Sequence, residues 1–119
     1  MILAAIALCT VVSVHDADTF RCQDGQRIRV AVINAREVDG SCNHYPCPAM
    51  RHERALPIAE NLLLGRTVRL HPVGRSGKRI VADVTLPDGR NYGCAMIASG
   101  AATDWSEYRA RYRMGECGR

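Results

Sequence analysis

The stretch Asp24-Gly25-Gln26-Arg27-Ile28-Arg29-Val30-Ala31-Val32-Ile33 decides how this chain begins to fold. Asp-Gly is a hairpin dipeptide, because glycine accepts the positive φ that a tight turn demands. The residues after it alternate polar and apolar and then become continuously apolar, as in a strand that enters a core. Working backward, Thr19 to Cys22 reads as the partner strand, His15-Asp16-Ala17-Asp18 as a polar turn, and the β-branched run Thr10 to Val14 as an earlier strand. The opening third is therefore a three-stranded meander.

Working forward, Asn34 to Pro48 holds Gly40, two prolines and two cysteines without periodicity, which predicts a long loop of functional kind. A local disulfide between Cys42 and Cys47 would pin it. Pro57 near a helix start, Ile58, Leu62 and Leu63 at helical spacing, and Gly65 at the end predict one short helix. Val68 and Leu70 start a fourth strand, Gly74 to Lys78 reads as a basic loop, and Ile80 to Leu86 is a fifth strand ending at the turn Pro87-Asp88-Gly89. Gly93 to Ser99, stopped by Gly100, suits a second helix, and the Arg- and Tyr-bearing remainder has room for one or two helical turns around Trp105 to Arg111. This order gives an α+β chain and predicts a five-stranded OB-type Greek-key β-barrel with two to three short helices. A generic α+β domain shares much of the same order.

The chain has 119 residues, 47% hydrophobic and 24% charged, which suits one domain over residues 1–119. Aromatic residues make up only 5%, which argues against a multi-aromatic platform for stacking bases and leaves charge as the handle on nucleic acid. The net charge is +4, and Lys78 is the single lysine among sixteen basic residues. Arginine offers a planar fork of donors that matches phosphate, although the same surplus serves solubility alone. Six cysteines, Cys9, Cys22, Cys42, Cys47, Cys94 and Cys117, favour disulfides and an oxidising compartment. No Cys-x-x-Cys pair accompanies His44, so zinc is the weaker alternative. Met1 to Cys9 is apolar but too short to span a bilayer. Residues 1–8 read as the tail of a signal peptide, with Ala5-Ile6-Ala7 as its cleavage site, or as the first strand.

Phosphodiester hydrolysis calls for a cation to offset phosphate charge, a base to position water, and fixed positive groups for the five-coordinate transition state. Asp16 and Asp18 at one strand end, Arg29 inside a strand, Asn34 and Glu37 at its exit, and Arg79 at another strand's start supply those types. In order, Val14-His15-Asp16-Ala17-Asp18-Thr19-Phe20, Ile28 to Glu37, Gly77 to Val84 and Asp88 to Gly93 resemble the motifs of the staphylococcal nuclease (thermonuclease) family, with Gly100-Ala101-Ala102 following. The family's patterns are D-G-D-T, I-R-L-x-x-I-D-A-P-E, Y-G-R-x-x-A and D-G-x-x-V. The resemblance runs from about Cys9 to Ala102.

What the resemblance implies is an exported nuclease acting on DNA, RNA or both, with Ca²⁺ as cofactor and products carrying a 3′-phosphate. Asp18, Asn34 and the Ala35 backbone carbonyl would ligate the ion, with Asp16 behind them. Glu37 would orient or activate water, and Arg29 and Arg79 would grip phosphate. Lys78 and Tyr108 are further candidate contacts to substrate, and the enzyme is expected to be a monomer. This chain departs from the pattern at Ala17, Arg36, Gly77-Lys78 and Asn34. The amide at Asn34 keeps an oxygen for a hard cation but removes a negative charge, so metal affinity should fall. Arg36 would repel the ion or reach the phosphate. The alternatives are a nucleic-acid-binding module that turns over poorly and a disulfide-stapled domain that binds protein. His15, His52 and His71 read as surface or packing residues.

Overall fold

The structure is a computed structural model that describes residues 6–42 and 46–117. Its organising strand is β1 (Ala7–Asp16), which is ten residues long and pairs on both sides. Its first half lies antiparallel to β5 (Thr67–Ser76), from Ala7 opposite Leu70 to Thr10 opposite Thr67. Its second half lies antiparallel to β2 (Thr19–Cys22), from Val11 opposite Cys22 to Asp16 opposite Thr19. Two register shifts in that second half bend the strand around the barrel corner, as bulges do. β2 continues through the Asp24-Gly25 hairpin into β3 (Arg27–Val30), which runs parallel to β6 (Arg79–Thr85). β6 then pairs with β5 and closes a five-stranded barrel in the order β1-β2-β3-β6-β5, with three short helices around it. The expected OB-type barrel of an α+β chain is the observed architecture.

Several boundaries differ from the sequence reading. The first strand reaches back to Ala7 and forward to Asp16, so the turn is Ala17-Asp18 alone, and residues 1–5 lie outside the described part, as does His44. The apolar run after Arg29 breaks at Val32, whose φ of 60° no continuous strand accommodates. Ala31 still donates to Ala82 and Trp105 to Val32, so the break is held by backbone bonds of 2.8 and 2.7 Å. Beyond it, β4 (Ile33–Asn34) pairs with β7 (Thr103–Asp104), a two-residue ribbon too short to leave a periodic signal. Gly74 to Lys78 is not a loop. The β5–β6 hairpin extends to Ser76 opposite Arg79, leaving Gly77-Lys78 as its turn, with Gly77 at φ 61°.

The first helix, α1 (His52–Leu63), starts five residues before Pro57, which lies inside it. Proline there lacks a donor and its ring crowds the carbonyl four residues back, and the stripe His52, Ala55, Ala59 and Leu63, buried on one face, outweighs that cost. α2 (Tyr92–Ser99) begins at an Asn91 cap that accepts from the Cys94 amide and ends at Gly100 with φ 84°. Gly93 lets it press onto β4, because a Cβ there would meet Ile33 Cγ2 at 3.1 Å. Phe20, Ile28, Val30, Val68 and Val84 of the barrel strands share one buried core with Leu63, Tyr92 and Met96 of the helices. Each such side chain contributes about 1.5–3 kcal/mol on burial. No helix among the described residues is long and apolar enough to cross a membrane.

All six cysteines are paired, as Cys9–Cys22, Cys42–Cys47 and Cys94–Cys117. The expected local bridge is thus present. Three disulfides in a domain this small belong to an oxidising environment. Cys9–Cys22 ties β1 to β2 with both residues buried, across a separation of 13 residues. Replacing both by Ala should lower unfolding free energy by about 3 kcal/mol, the loop-closure value for a ring of that size. Urea unfolding reads the loss, and one below about 1 kcal/mol would mean that the bridge constrains little.

Candidate active site

The β1–β2 turn presents two buried carboxylates, Asp16 and Asp18, at 4% and 3% exposure. Asp18 is held from three directions. Its Oδ2 accepts from the Ala35 amide at 3.0 Å and lies 3.5 Å from Arg29 Nη1, while Oδ1 accepts from Thr19 Oγ1 at 3.1 Å. The turn itself is anchored by the Tyr92 hydroxyl, which donates to the Ala17 carbonyl at 2.5 Å. Burial, and then the nearby charge of Asp18, push the Tyr92 phenol well above its ordinary range and keep it a donor.

Asp16 is less well satisfied. Its Oδ1 has no hydrogen-bond partner among the described residues, although His52 Nδ1 lies 3.3 Å away, and His15 Nε2 approaches Oδ2 at 3.7 Å. His52 is therefore not only a packing residue: the first turn of α1 sets it against a buried acid. Burial raises the Asp16 pKa, the charges of Asp18 and Glu37 add to that rise, and His15 and His52 oppose it. Glu37 follows on the loop after β4, half-buried. Its loop is shaped by Glu37 N–H to the Ser41 carbonyl at 2.8 Å and Gly40 N–H to the Glu37 carbonyl at 2.9 Å.

Arg36 is engaged within the protein. Its guanidinium donates to the Pro48 carbonyl at 2.7 Å and the Gly40 carbonyl at 2.6 Å, clasping the loop that the Cys42–Cys47 bridge closes. Asn34 is fully buried in β4, and its carbonyl accepts from Thr103 Oγ1 at 3.4 Å. Ala35 stands next to Asp18 through its amide.

Arg29 connects this group to a cavity of about 370 Å³. The cavity is lined by Arg29, Arg75, Arg79, Trp105, Tyr108 and Tyr112, among others. Arg79 Nη2 donates to Ser76 Oγ at 3.2 Å. Trp105 meets Tyr108 edge-on at 4.6 Å, and Tyr112 lies 5.6 Å beyond Tyr108. Scarce as aromatics are, three of the six converge here. Their spacing at i, i+3 and i+7 was the available signal. Trp105 starts α3 (Ser106–Arg111), and buried Arg109 holds the segment by donating to Asp104 at 2.8 Å and to the Gly115 carbonyl at 2.6 Å. Of the sequence candidates, Arg29, Arg79 and Tyr108 meet in the cavity, Asp16 and Asp18 are buried together in the β1–β2 turn with Asp18 against Arg29, and Glu37 stands half-buried on the following loop without joining them in a group of three. Lys78 sits exposed at the hairpin turn, outside the lining.

The acidic group suits a hard cation in its donor chemistry. It offers two buried carboxylates, one of their oxygens without a hydrogen bond, against the guanidinium of Arg29. No three His, Cys, Asp or Glu side chains among the described residues converge on one point. A ligand set of one carboxylate, one amide oxygen and one backbone carbonyl would not form such a group. No model of a known protein family and no curated protein matches the chain.

A pH dependence follows from Asp16. The fold raises its pKa, so the native state binds its proton more tightly than the unfolded chain does, and stability falls as pH rises from the ordinary 3.8 through the raised value. Asp16→Asn should therefore raise the melting temperature in EDTA at neutral pH, with the gain shrinking below the ordinary carboxylate pKa. A gain of equal size at acid and neutral pH would show that charge at Asp16 is not the cause.

Proposed function

We propose that this protein is a metal-assisted nuclease that hydrolyses phosphodiester bonds in DNA, RNA or both, working as an exported monomer. One observation carries the reading: Arg29 joins a buried group of carboxylates to a cavity whose wall combines three arginines with three aromatic rings. The co-linear motifs that resemble the staphylococcal nuclease family support it.

In this reading the cavity takes a nucleotide, its rings stacking on the base while Arg75 and Arg79 face phosphate. Arg29 and Arg79 stabilise the charge that grows on the phosphoryl oxygens. Glu37 orients or deprotonates the attacking water. Asp18, Asn34 and the Ala35 carbonyl would hold a Ca²⁺ ion, with Asp16 behind, and the ion supplies positive charge against the phosphate. Tyr92 and Arg36 position the carboxylates from outside. A second reading, a nucleic-acid-binding module with poor turnover, draws on the complete burial and neutrality of Asn34.

Plasmid and RNA digestion with Ca²⁺, Mg²⁺, Mn²⁺ and EDTA separates the two. Metal-dependent cleavage that falls by about a hundredfold or more in Arg79→Ala supports the enzyme. Binding without cleavage under every metal overturns it in favour of the module.

Asn34→Asp tests the metal assignment independently of turnover. In EDTA it should lower the melting temperature, because it buries one more carboxylate. Added Ca²⁺ should then raise its melting temperature by more than it raises that of the parent protein. An equal Ca²⁺ response in both would place Asn34 away from the ion.

A further inference from the structure

A second cavity, of about 290 Å³, lies on the outer face of β1, β2 and β3, lined by Ser13, His15, Thr19, Phe20, Arg21 and Arg27. The β2–β3 register sets Arg21 directly opposite Arg27. Cross-strand neighbours of like charge repel, and the pair weakens the hairpin unless something negative lies between them. Nothing in the described protein does so: among the described residues neither arginine forms an ion pair or a side-chain hydrogen bond, and the adjacent Asp24 is turned to the Gln26 amide at 3.0 Å.

The same register continues to the candidate active site. Thr19, on the wall of this second cavity, is the cross-strand partner of Arg29, on the wall of the first. Arg27 precedes Arg29 by two residues on the same face of β3, a step of about 6.6 Å. The parallel pairing of Ile28 with Ile80 and Arg29 with Val81 brings the starts of the two strands, Arg27 and Arg79, alongside each other. Arg21, Arg27 and Arg79 thus stand at one level on three adjacent strands, with Arg29 one step along β3, and form one continuous cationic track over the barrel wall.

We propose that Arg21 and Arg27, flanked by Ser13 and His15, form a second phosphate subsite that holds the polynucleotide one or more phosphates beyond the one at Arg29 and Arg79. The proposal rests on the nuclease reading. Its occupant is a single strand, because a flexible chain follows the curved wall of so narrow a barrel, whereas a stiff duplex touches it at one place.

The test measures binding of a fluorescent twelve-residue oligothymidylate in EDTA, where cleavage plays no part, across a salt series. Arg21→Gln/Arg27→Gln is compared with the charge-matched Arg54→Gln/Arg90→Gln, whose positions are exposed and lie outside both cavities. The track variant should bind about tenfold more weakly, and its log–log salt slope should shrink by about 1.4, two contacts at roughly 0.7 each. The control should keep the slope of the parent protein. Thermal unfolding should show the track variant no less stable than the parent, since a like-charge pair is removed. If both variants lose slope equally, the effect is net charge and the subsite is overturned. If the parent binds and the track variant matches it, the subsite fails while the nuclease reading stands. If the parent protein binds no oligothymidylate in EDTA, the subsite is overturned, and the digestion assay with metals decides the nuclease reading separately.

Discussion

Asp18 is the junction on which the rest of the site depends. A carboxylate in this depth of protein is costly to bury without partners. Here the partners come from three parts of the chain: Thr19 beside it, Arg29 on β3, and the Ala35 amide after β4. Satisfying one buried charge therefore fixes the β1–β2 turn against β3 and aims the loop that carries Glu37. The Tyr92 hydroxyl adds a fourth hold through the Ala17 carbonyl, 75 residues away in sequence. Asp16, two residues from Asp18, lacks such a set, and burial first, then the neighbouring charge of Asp18, raise its pKa.

The barrel places these groups through the double pairing of β1. Because β1 serves β5 with one half and β2 with the other, its far end, where Asp16 lies, is carried across the barrel mouth. The parallel contact of β3 with β6 then brings Arg29 and Arg79 to one wall. Disulfides and arginines brace the outer parts. Cys42–Cys47 and the Arg36 clasp shape the Glu37 loop, while Cys94–Cys117 and buried Arg109 hold the terminal segment that carries the aromatic rings. The cavity thus depends on parts of the chain that contribute little to the barrel core.

The sequence by itself determined the strands with a two-residue period or a turn dipeptide, the helix stop at Gly100, the Cys42–Cys47 bridge, and the residue types of the candidate site. These are local matters, set by backbone preference and by spacing within a few residues. Tertiary structure alone decided the break at Val32, the β4–β7 ribbon, the extension of the β5–β6 hairpin and the inclusion of Pro57 in α1, because in each case packing or distant pairing outweighed local preference. It also decided the partners of His52, Arg36 and Tyr92, and the gathering of Trp105, Tyr108 and Tyr112 into one wall. Contacts between residues far apart in sequence leave no period and no motif, so a residue count that made aromatics look sparse carried no information about where the fold would concentrate them.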